Sequence, residues 1–226
     1  MDINKITKVY HGTCSLWKTN QFKIENIDLT ISKMTCDFGS GFYTAPFKAE
    51  AKRRAKSQSV KLYEYHDYLH DGNSLHDELY DKKLISETEY VAYCRGKIMP
   101  KPEQKEYKPK IIEYQLDKKV MEKLNIMVFD DCSLKWAEYA MQYRSGREKT
   151  LNMDIDVIFA PTMDGISPIL SKLQREFKKT GKLTDEMYNN VLPRNYAEYG
   201  VGESWQMYFR TLKSLELLGN SIIELR

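Results

Sequence analysis

The stretch from Asp37 to Thr44, with the sequence DFGSGFYT, constrains the fold more than any other part of this 226-residue chain. Phe42, Tyr43 and Thr44 favour an extended backbone. The two glycines before them allow a bulge, or the close approach of another backbone or a flat ligand. Asp37 can hydrogen-bond within its own turn. The stretch therefore predicts a short strand whose first residues open a slot beside Tyr43, or alternatively a glycine-interrupted strand of the core.

Composition narrows the class of protein. The chain is 42% hydrophobic and 30% charged, with a formal net charge of +3, which permits a nucleic-acid partner without requiring one. No apolar run reaches the ~20 residues of a membrane helix, and the N-terminus lacks the pattern of a secretory signal. The four cysteines lie far apart with no C-x-x-C pair, which predicts reduced thiols and a cytoplasmic protein. The lack of a long apolar run predicts that the protein has no membrane partner.

Four other segments carry patterns that bear on a site. They are Val9–Thr13, which contains His-Gly-Thr; a helix after Pro46 with Ala51 and Ala55 one turn apart; the buried-strand candidate Ile155–Ala160; and Trp205–Phe209. In the last segment the alternation predicts a strand with Trp205, Met207 and Phe209 on one face. Gln206 then points away from the most apolar face, where a ligand can be met. A first strand is predicted over residues 3–14, ending at His11.

In order and chemistry these segments resemble an uncharacterised bacterial family of the ADP-ribosyltransferase superfamily, the branch like diphtheria toxin and the poly-ADP-ribose polymerases. That family reads roughly Tyr-His-Gly-Ser, Asp-Phe-Gly-x-Gly-Phe-Tyr-x-Thr, a helix with Gln-Ala, Asp-x-Val-x-Gly-Pro-x-Ala-Asp and Gln-x-x-Phe-x-Thr. The resemblance covers most of the chain outside a segment at about 61–108. It implies an α+β fold, with an ADP-ribosyltransferase-like split β-sheet, flanking helices and a helical insertion, in a single domain over 1–226.

The resemblance also implies NAD as co-substrate and assigns roles to residues. The His11 ring would hydrogen-bond a ribose hydroxyl, the Gly12 backbone would bind the nicotinamide carboxamide, and Tyr43 would stack on the nicotinamide. The implied catalytic residues are His11, Tyr43 and Gln206, and the implied NAD-binding residues are His11, Gly12, Thr13, Gly41, Phe42, Tyr43, Thr44, Ala51 and Gln206.

Gln206 departs from the superfamily pattern, although the nearer family often has glutamine there. In the best-known relatives this position holds a glutamate that binds the nicotinamide-ribose hydroxyls and stabilises the forming cation. A neutral amide supplies hydrogen bonds without charge, and the rate loss could reach ~10²–10³ by analogy with removing one preorganised stabilising group. Glu203, in a predicted loop, is a minor candidate for orienting an acceptor.

Two hypotheses of function follow from the resemblance. The first is transfer of ADP-ribose from NAD to a macromolecular acceptor, protein or nucleic acid, by a bacterial toxin or phage-defence effector with a possible antitoxin or inhibitor protein. The second is a catalytically inactive NAD-fold binding module, in which Gln206 signals lost chemistry.

Two charged or metal-ligating patterns have plainer interpretations. His66 and His70 stand an i,i+4 step apart, with His76 and Asp77 nearby, but a Gly72-Asn73 turn follows at once, so no metal is expected. The basic run Lys52, Arg53, Arg54 and Lys56 is predicted to be a solvated helix face, with contact to a diphosphate or nucleic acid as the alternative.

Overall fold

A computed structural model describes residues 1–15, 17–32, 36–68, 86–88, 108–163, 167–191, 204–219 and 222–225. Most of the predicted insertion lies outside these residues. So do His70, His76, Asp77 and Glu203, and of His66 only the backbone is described.

The described residues form strands and helices in mixed order along the chain. The strands are β1 (Lys8–Cys14), β2 (Phe42–Thr44), β3 (Pro109–Gln115), β4 (Ile126–Val128), β5 (Val157–Pro161), β6 (Trp205–Phe209) and β7 (Ile222–Leu225). The α-helices are α1 (Lys48–Tyr68), α2 (Lys118–Met121), α3 (Leu134–Arg144), α4 (Ser167–Thr180), α5 (Asp185–Val191) and α6 (Leu212–Leu215). None of these helices is both long and apolar enough to cross a bilayer.

The strands belong to two sheets, and the α+β prediction is confirmed. The first sheet has the order β1-β3-β7 and is antiparallel. The second has the order β2-β6-β5-β4, in which β4 and β5 are parallel and the other neighbours antiparallel. Strand β6 therefore lies inside the second sheet, between β2 and β5.

The predicted alternation of β6 is confirmed, but both faces of this strand are covered. Trp205, Met207 and Phe209 pack in one hydrophobic cluster with the first sheet, while Tyr208 packs in a second cluster with α3 and α4. Gln206 is only 3% exposed. A central strand packed on both sides explains why its polar side chain meets protein groups.

The two sheets meet at one backbone bridge between Tyr10 and Ala45. The Tyr10 N–H donates to the Ala45 carbonyl, and the Ala45 N–H donates to the Tyr10 carbonyl, both at 2.8 Å. Beyond this bridge, β1 continues along β3, and β2 continues along β6. We call the space between β1 and β2 beyond the bridge, bordered by His11 and Tyr43, the sheet fork.

The predicted start and end of the first strand differ from the structure. Strand β1 begins at Lys8 rather than residue 3, because the Asp2 side chain caps a 3₁₀ turn over Ile3–Lys5. The strand also continues past His11 to Cys14. Helix α1 runs on to Tyr68, past the expected start of the insertion at residue 61.

Local sequence signals mark three helix ends. The Ser133 side chain accepts from the Trp136 N–H at the start of α3, and the Thr211 side chain accepts from the Ser214 N–H at the start of α6. Gly181 follows α4 with φ of 70°, the left-handed conformation that glycine adopts readily.

Candidate functional site

His11 lies at the mouth of the sheet fork. Its Nδ1 is 2.7 Å from the carbonyl oxygen of Tyr43. A carbonyl only accepts, so the neutral ring carries its proton on Nδ1 and Nε2 is an acceptor. The ring stacks on Phe42, with 4.6 Å between centroids. Burial, assisted by the charge of Arg54, lowers the pKa of His11 to about 4, so the ring is neutral at neutral pH.

The backbone of Gly12 faces the fork. In an antiparallel ladder, alternate residues direct their N–H and C=O groups to the same neighbouring strand. Tyr10 directs both groups to Ala45 on the β2 side, so Gly12, two residues on, directs its groups to that side as well. A continued ladder would pair Gly12 with Tyr43, whose carbonyl accepts from the His11 ring. One donor and one acceptor of Gly12 are thus presented to the fork.

Gly12 also allows α1 to pack closely on β1. A Cβ at Gly12 would lie 2.0 Å from the carbonyl oxygen of Ala51 and 2.9 Å from the backbone nitrogen of Ala55. Ala51 is fully buried in this contact. Ala51 therefore packs against β1, and the NAD contact that the resemblance implies for it stays a prediction.

Two hydrogen bonds of the hydroxyl and one ring contact hold the Tyr43 side chain in place. Its hydroxyl donates to the Gly39 carbonyl at 2.7 Å and accepts from the Phe38 N–H at 3.1 Å. Its ring lies 4.7 Å from that of Tyr208, measured between centroids. Burial raises the pKa of Tyr43 well above its ordinary value. Tyr43 therefore remains a protonated phenol that offers a positioned ring rather than a base.

Four other predicted binding residues are buried next to the sheet fork. A Cβ at Gly41 would lie 2.6 Å from the Phe209 carbonyl oxygen, so the predicted close approach of another backbone is confirmed. The Thr44 hydroxyl donates to the Met207 carbonyl at 3.2 Å. Phe42, which carries the His11 ring, and Thr13 are both buried. The NAD contacts that the resemblance implies for these four residues stay predictions.

Gln206 is placed on the strand next to β2. Thr44 pairs with Met207, so Gln206 lies one step beyond, opposite the bridge residue Ala45. Strands β1 and β6 lie on either side of β2, roughly 10 Å apart. The Gln206 Nε2 donates to Asp37 Oδ2 at 2.6 Å and to the Pro161 carbonyl at 3.3 Å. Tyr43, Tyr208 and Gln206 share one face of the second sheet, because Tyr43 pairs with Tyr208.

A buried acidic group lies directly behind Gln206. Asp37 is 5% exposed, forms an ion pair with Arg144, and accepts from the Met163 N–H at 2.9 Å. Arg144 also donates to the Met163 carbonyl at 2.9 Å. The sequence predicts only a local turn bond for Asp37. The structure instead connects this side chain to three distant parts of the chain.

A second buried carboxylate, Glu50, ties α1 to the start of β6. It accepts from the Ser204 hydroxyl and from the Trp205 N–H at 3.0 Å. Arg54 lies 3.7 Å and Arg53 3.9 Å from the Glu50 carboxylate. Burial raises the pKa of Glu50, opposed first by the charge of Arg54.

The basic run on α1 therefore divides into two parts. Lys52 and Lys56 are exposed, as a solvated helix face requires. Arg53 and Arg54 turn towards Glu50. The i,i+3 and i,i+4 spacing from Glu50 is a sequence signal for these pairs. No comparable signal exists for Asp37, whose partners Arg144 and Gln206 lie 107 and 169 residues away along the chain.

The structure thus brings His11, Gly12 and Tyr43 together as partly exposed groups at the fork, with Gln206 buried on the adjoining strand. Among the residues that the structure describes, no group of three or more His, Cys, Asp or Glu side chains is arranged to hold a metal ion.

Comparison with known proteins found no family model, no curated protein and no solved structure that matches this chain.

Proposed function

We propose that this protein is an NAD-dependent ADP-ribosyltransferase that moves ADP-ribose from NAD to a macromolecular acceptor. The observation that carries the proposal is the geometry of the sheet fork. The His11 ring contacts the Tyr43 carbonyl at 2.7 Å, and Gln206 lies on the next strand, opposite the bridge that holds the sheets together. The three residues implied by the resemblance therefore come from distant parts of the chain to strands β1, β2 and β6. The Tyr43 ring and Gln206 share one face of the second sheet, and the His11 ring stacks on Phe42 at the other face.

The chemistry of each group suits the role that the resemblance gives it. The His11 Nε2 is an acceptor, and a ribose hydroxyl donates. The backbone of Gly12 presents one donor and one acceptor, the complement of a primary carboxamide. The Tyr43 ring is fixed by two hydrogen bonds, which favours stacking on a flat heterocycle. The Oε1 atom of Gln206 can accept a hydrogen bond from a second ribose hydroxyl.

Catalysis in this site depends on positioning. Cleavage of the bond between nicotinamide and ribose builds positive charge on the sugar, which a nearby negative charge stabilises. A neutral His11 and a protonated Tyr43 hold the substrate and do not ionise it. The contribution of such groups is to restrict the reacting parts to one geometry.

The acceptor and the biological role in this proposal rest on the resemblance. The acceptor is a protein or a nucleic acid, and the role is that of a bacterial toxin or phage-defence effector restrained by an inhibitor protein. Labelled NAD, incubated with whole lysate that is then divided into protein and nucleic-acid fractions, identifies the acceptor class by where the label is found.

The decisive experiment measures nicotinamide released from NAD in the presence of cell lysate. The wild-type protein is expected to release nicotinamide, and His11→Ala and Tyr43→Ala to lose about 10²-fold or more in rate, because each removes a group that positions the substrate. Lys52→Ala, an exposed position on α1, is the control and keeps the wild-type rate. Absence of release with every lysate would refute the transferase.

One observation favours the binding module as a second candidate. Gln206 is buried, and both of its amide hydrogens are held by Asp37 and Pro161. A protein that binds NAD without cleaving it would show NAD affinity sensitive to His11→Ala, together with no released nicotinamide. The same set of variants therefore separates the two functions.

A further inference from the structure

Asp37 is in direct contact with Gln206, one of the predicted site residues. Its Oδ2 lies 2.6 Å from the Gln206 Nε2. Both side chains are nearly inaccessible, with exposures of 5% for Asp37 and 3% for Gln206. Water therefore does little to screen the interaction between them.

The orientation of the Gln206 carboxamide follows from its partners. One end of the amide faces Asp37 Oδ2 and the Pro161 carbonyl, at 2.6 Å and 3.3 Å. Both partners only accept, so this end has to be the NH₂ group, whose two hydrogens match two acceptors. The Oε1 atom therefore lies at the opposite end, away from both oxygens.

We infer that Asp37 is a positioning residue of the candidate site, which holds the Gln206 carboxamide with its oxygen directed to a hydroxyl-bearing ligand and brings the negative charge of the site directly behind that amide. The inference rests on the proposed function for the identity of the ligand. In related enzymes, the resemblance places a negative charge at the position of Gln206. In this chain the negative charge belongs to Asp37, the residue that contacts Gln206.

A glutamate at position 206 is incompatible with this arrangement. It would set a carboxylate oxygen about where Nε2 now lies, against the carboxylate of Asp37 and the carbonyl of Pro161. Two buried carboxylates in contact cannot both ionise without a large cost. Exchanging the chemistry of both positions restores one donor, one carboxylate and the same net charge.

The test is a four-member cycle: wild type, Asp37→Asn, Gln206→Glu, and the double variant Asp37→Asn/Gln206→Glu. Each single variant is expected to lower Tm by about 10 °C, because it breaks a buried charged interaction. The double variant is expected to recover part of the summed loss, because the amide introduced at position 37 donates to the carboxylate introduced at position 206, while the Met163 N–H loses its acceptor. Additive losses would overturn the inference.

Turnover distinguishes positioning from a purely structural role. At a temperature where all four proteins are folded, Asp37→Asn is expected to release nicotinamide about 10²-fold more slowly with little change in KM, since a misplaced group costs that much. The double variant regains at least tenfold over Asp37→Asn. Full turnover in Asp37→Asn would overturn positioning and leave only a structural contact.

Arg144→Lys is the matched control. It keeps a positive charge beside Asp37 and gives up part of the hydrogen bonding to Asp37 and Met163. It is expected to lower Tm while turnover stays within about twofold of wild type, because Gln206 keeps its partner. A fall in turnover as large as that of Asp37→Asn would contradict the role given to Asp37.

The failure of the proposed function is separable from the failure of this inference. If the wild-type protein releases no nicotinamide, the transferase fails. The Tm cycle alone then decides whether Asp37 fixes Gln206, with recovery in the double variant supporting it and additive losses overturning it.

Discussion

Two properties of His11 fix the chemistry of its ring. Its Nδ1–H is committed to the Tyr43 carbonyl, and burial keeps its ring neutral by lowering the pKa to about 4. The remaining nitrogen is therefore an acceptor across the physiological pH range. A ligand at the fork has to donate a hydrogen bond to it, as a hydroxyl does, and a carboxylate or phosphate oxygen cannot.

The lowered pKa of His11 predicts a specific loss of stability in acid. In the unfolded chain a histidine has a pKa of about 6.5, so protons bind the unfolded state first as the pH falls. Above a pH of about 6.5, His11 does not lower the free energy of unfolding. As the pH falls towards 4, His11 lowers the free energy of unfolding by up to about 2–3 kcal/mol.

The measurement is the free energy of unfolding by urea at several pH values, for wild type and His11→Asn. Asparagine keeps a donor for the Tyr43 carbonyl but does not titrate in this range. The stability of wild type relative to the variant is expected to fall between pH 7 and pH 4.5. A difference that is constant over this range would show that His11 has the same pKa in both states.

At the scale of elements, the position of α1 against β1 depends on the absence of one side chain. A Cβ at Gly12 would lie 2.0 Å from the Ala51 carbonyl oxygen, which belongs to a helix backbone and cannot turn aside. Gly12→Ala is therefore expected to destabilise the protein by about 2–4 kcal/mol, because the helix or the strand has to move.

The control for this substitution is Gly146→Ala. Gly146 has φ of 67°, but the nearest atom to its Cβ is Lys178 Nζ at 3.9 Å. Gly146→Ala is expected to lower the free energy of unfolding by only about 1 kcal/mol, because alanine is less stable than glycine in the left-handed conformation. Chemical denaturation of both variants measures the difference. Equal losses would mean that α1 does not constrain Gly12.

Elements with a local pattern are predictable from the sequence. The alternation of Trp205–Phe209 depends on neighbours within a few residues, and the structure has it where expected. The start of β1 was misplaced because the cap of a short 3₁₀ turn by Asp2 competes with the apolar pattern.

Buried charges were the part of the site that the sequence did not reveal. A carboxylate in a glycine-rich turn is normally solvated, and nothing near Asp37 in the sequence identifies Arg144 or Gln206 as its partners. The burial of Gln206 was not predicted for a related reason. Alternation shows which face a side chain is on, but it does not show whether another layer covers that face.

At the scale of the whole molecule, the fork exists because the two sheets, as far as the described residues go, are joined by one bridge, Tyr10 with Ala45. Its walls belong to different sheets, and Glu50 and Gly12 fix α1 against β6 and β1 respectively. A ligand that touches His11 and Tyr43 joins both sheets at once. Binding is therefore expected to stabilise the entire fold and not one sheet.

NAD at 100 times its Kd is expected to raise Tm by about 5–10 °C, which corresponds to about 2.7 kcal/mol for a domain of this size. ADP-ribose, which lacks the nicotinamide, is expected to give a smaller shift, because it leaves the Gly12 backbone and the Tyr43 ring without their partner. His11→Ala should reduce the NAD shift, and the exposed-site variant Lys52→Ala should keep it.

Two outcomes would contradict this placement of NAD. If NAD shifts the Tm of wild type and of His11→Ala equally, the dinucleotide binds elsewhere and the fork is not its site. If ADP-ribose and NAD give equal shifts, the fork does not hold the nicotinamide.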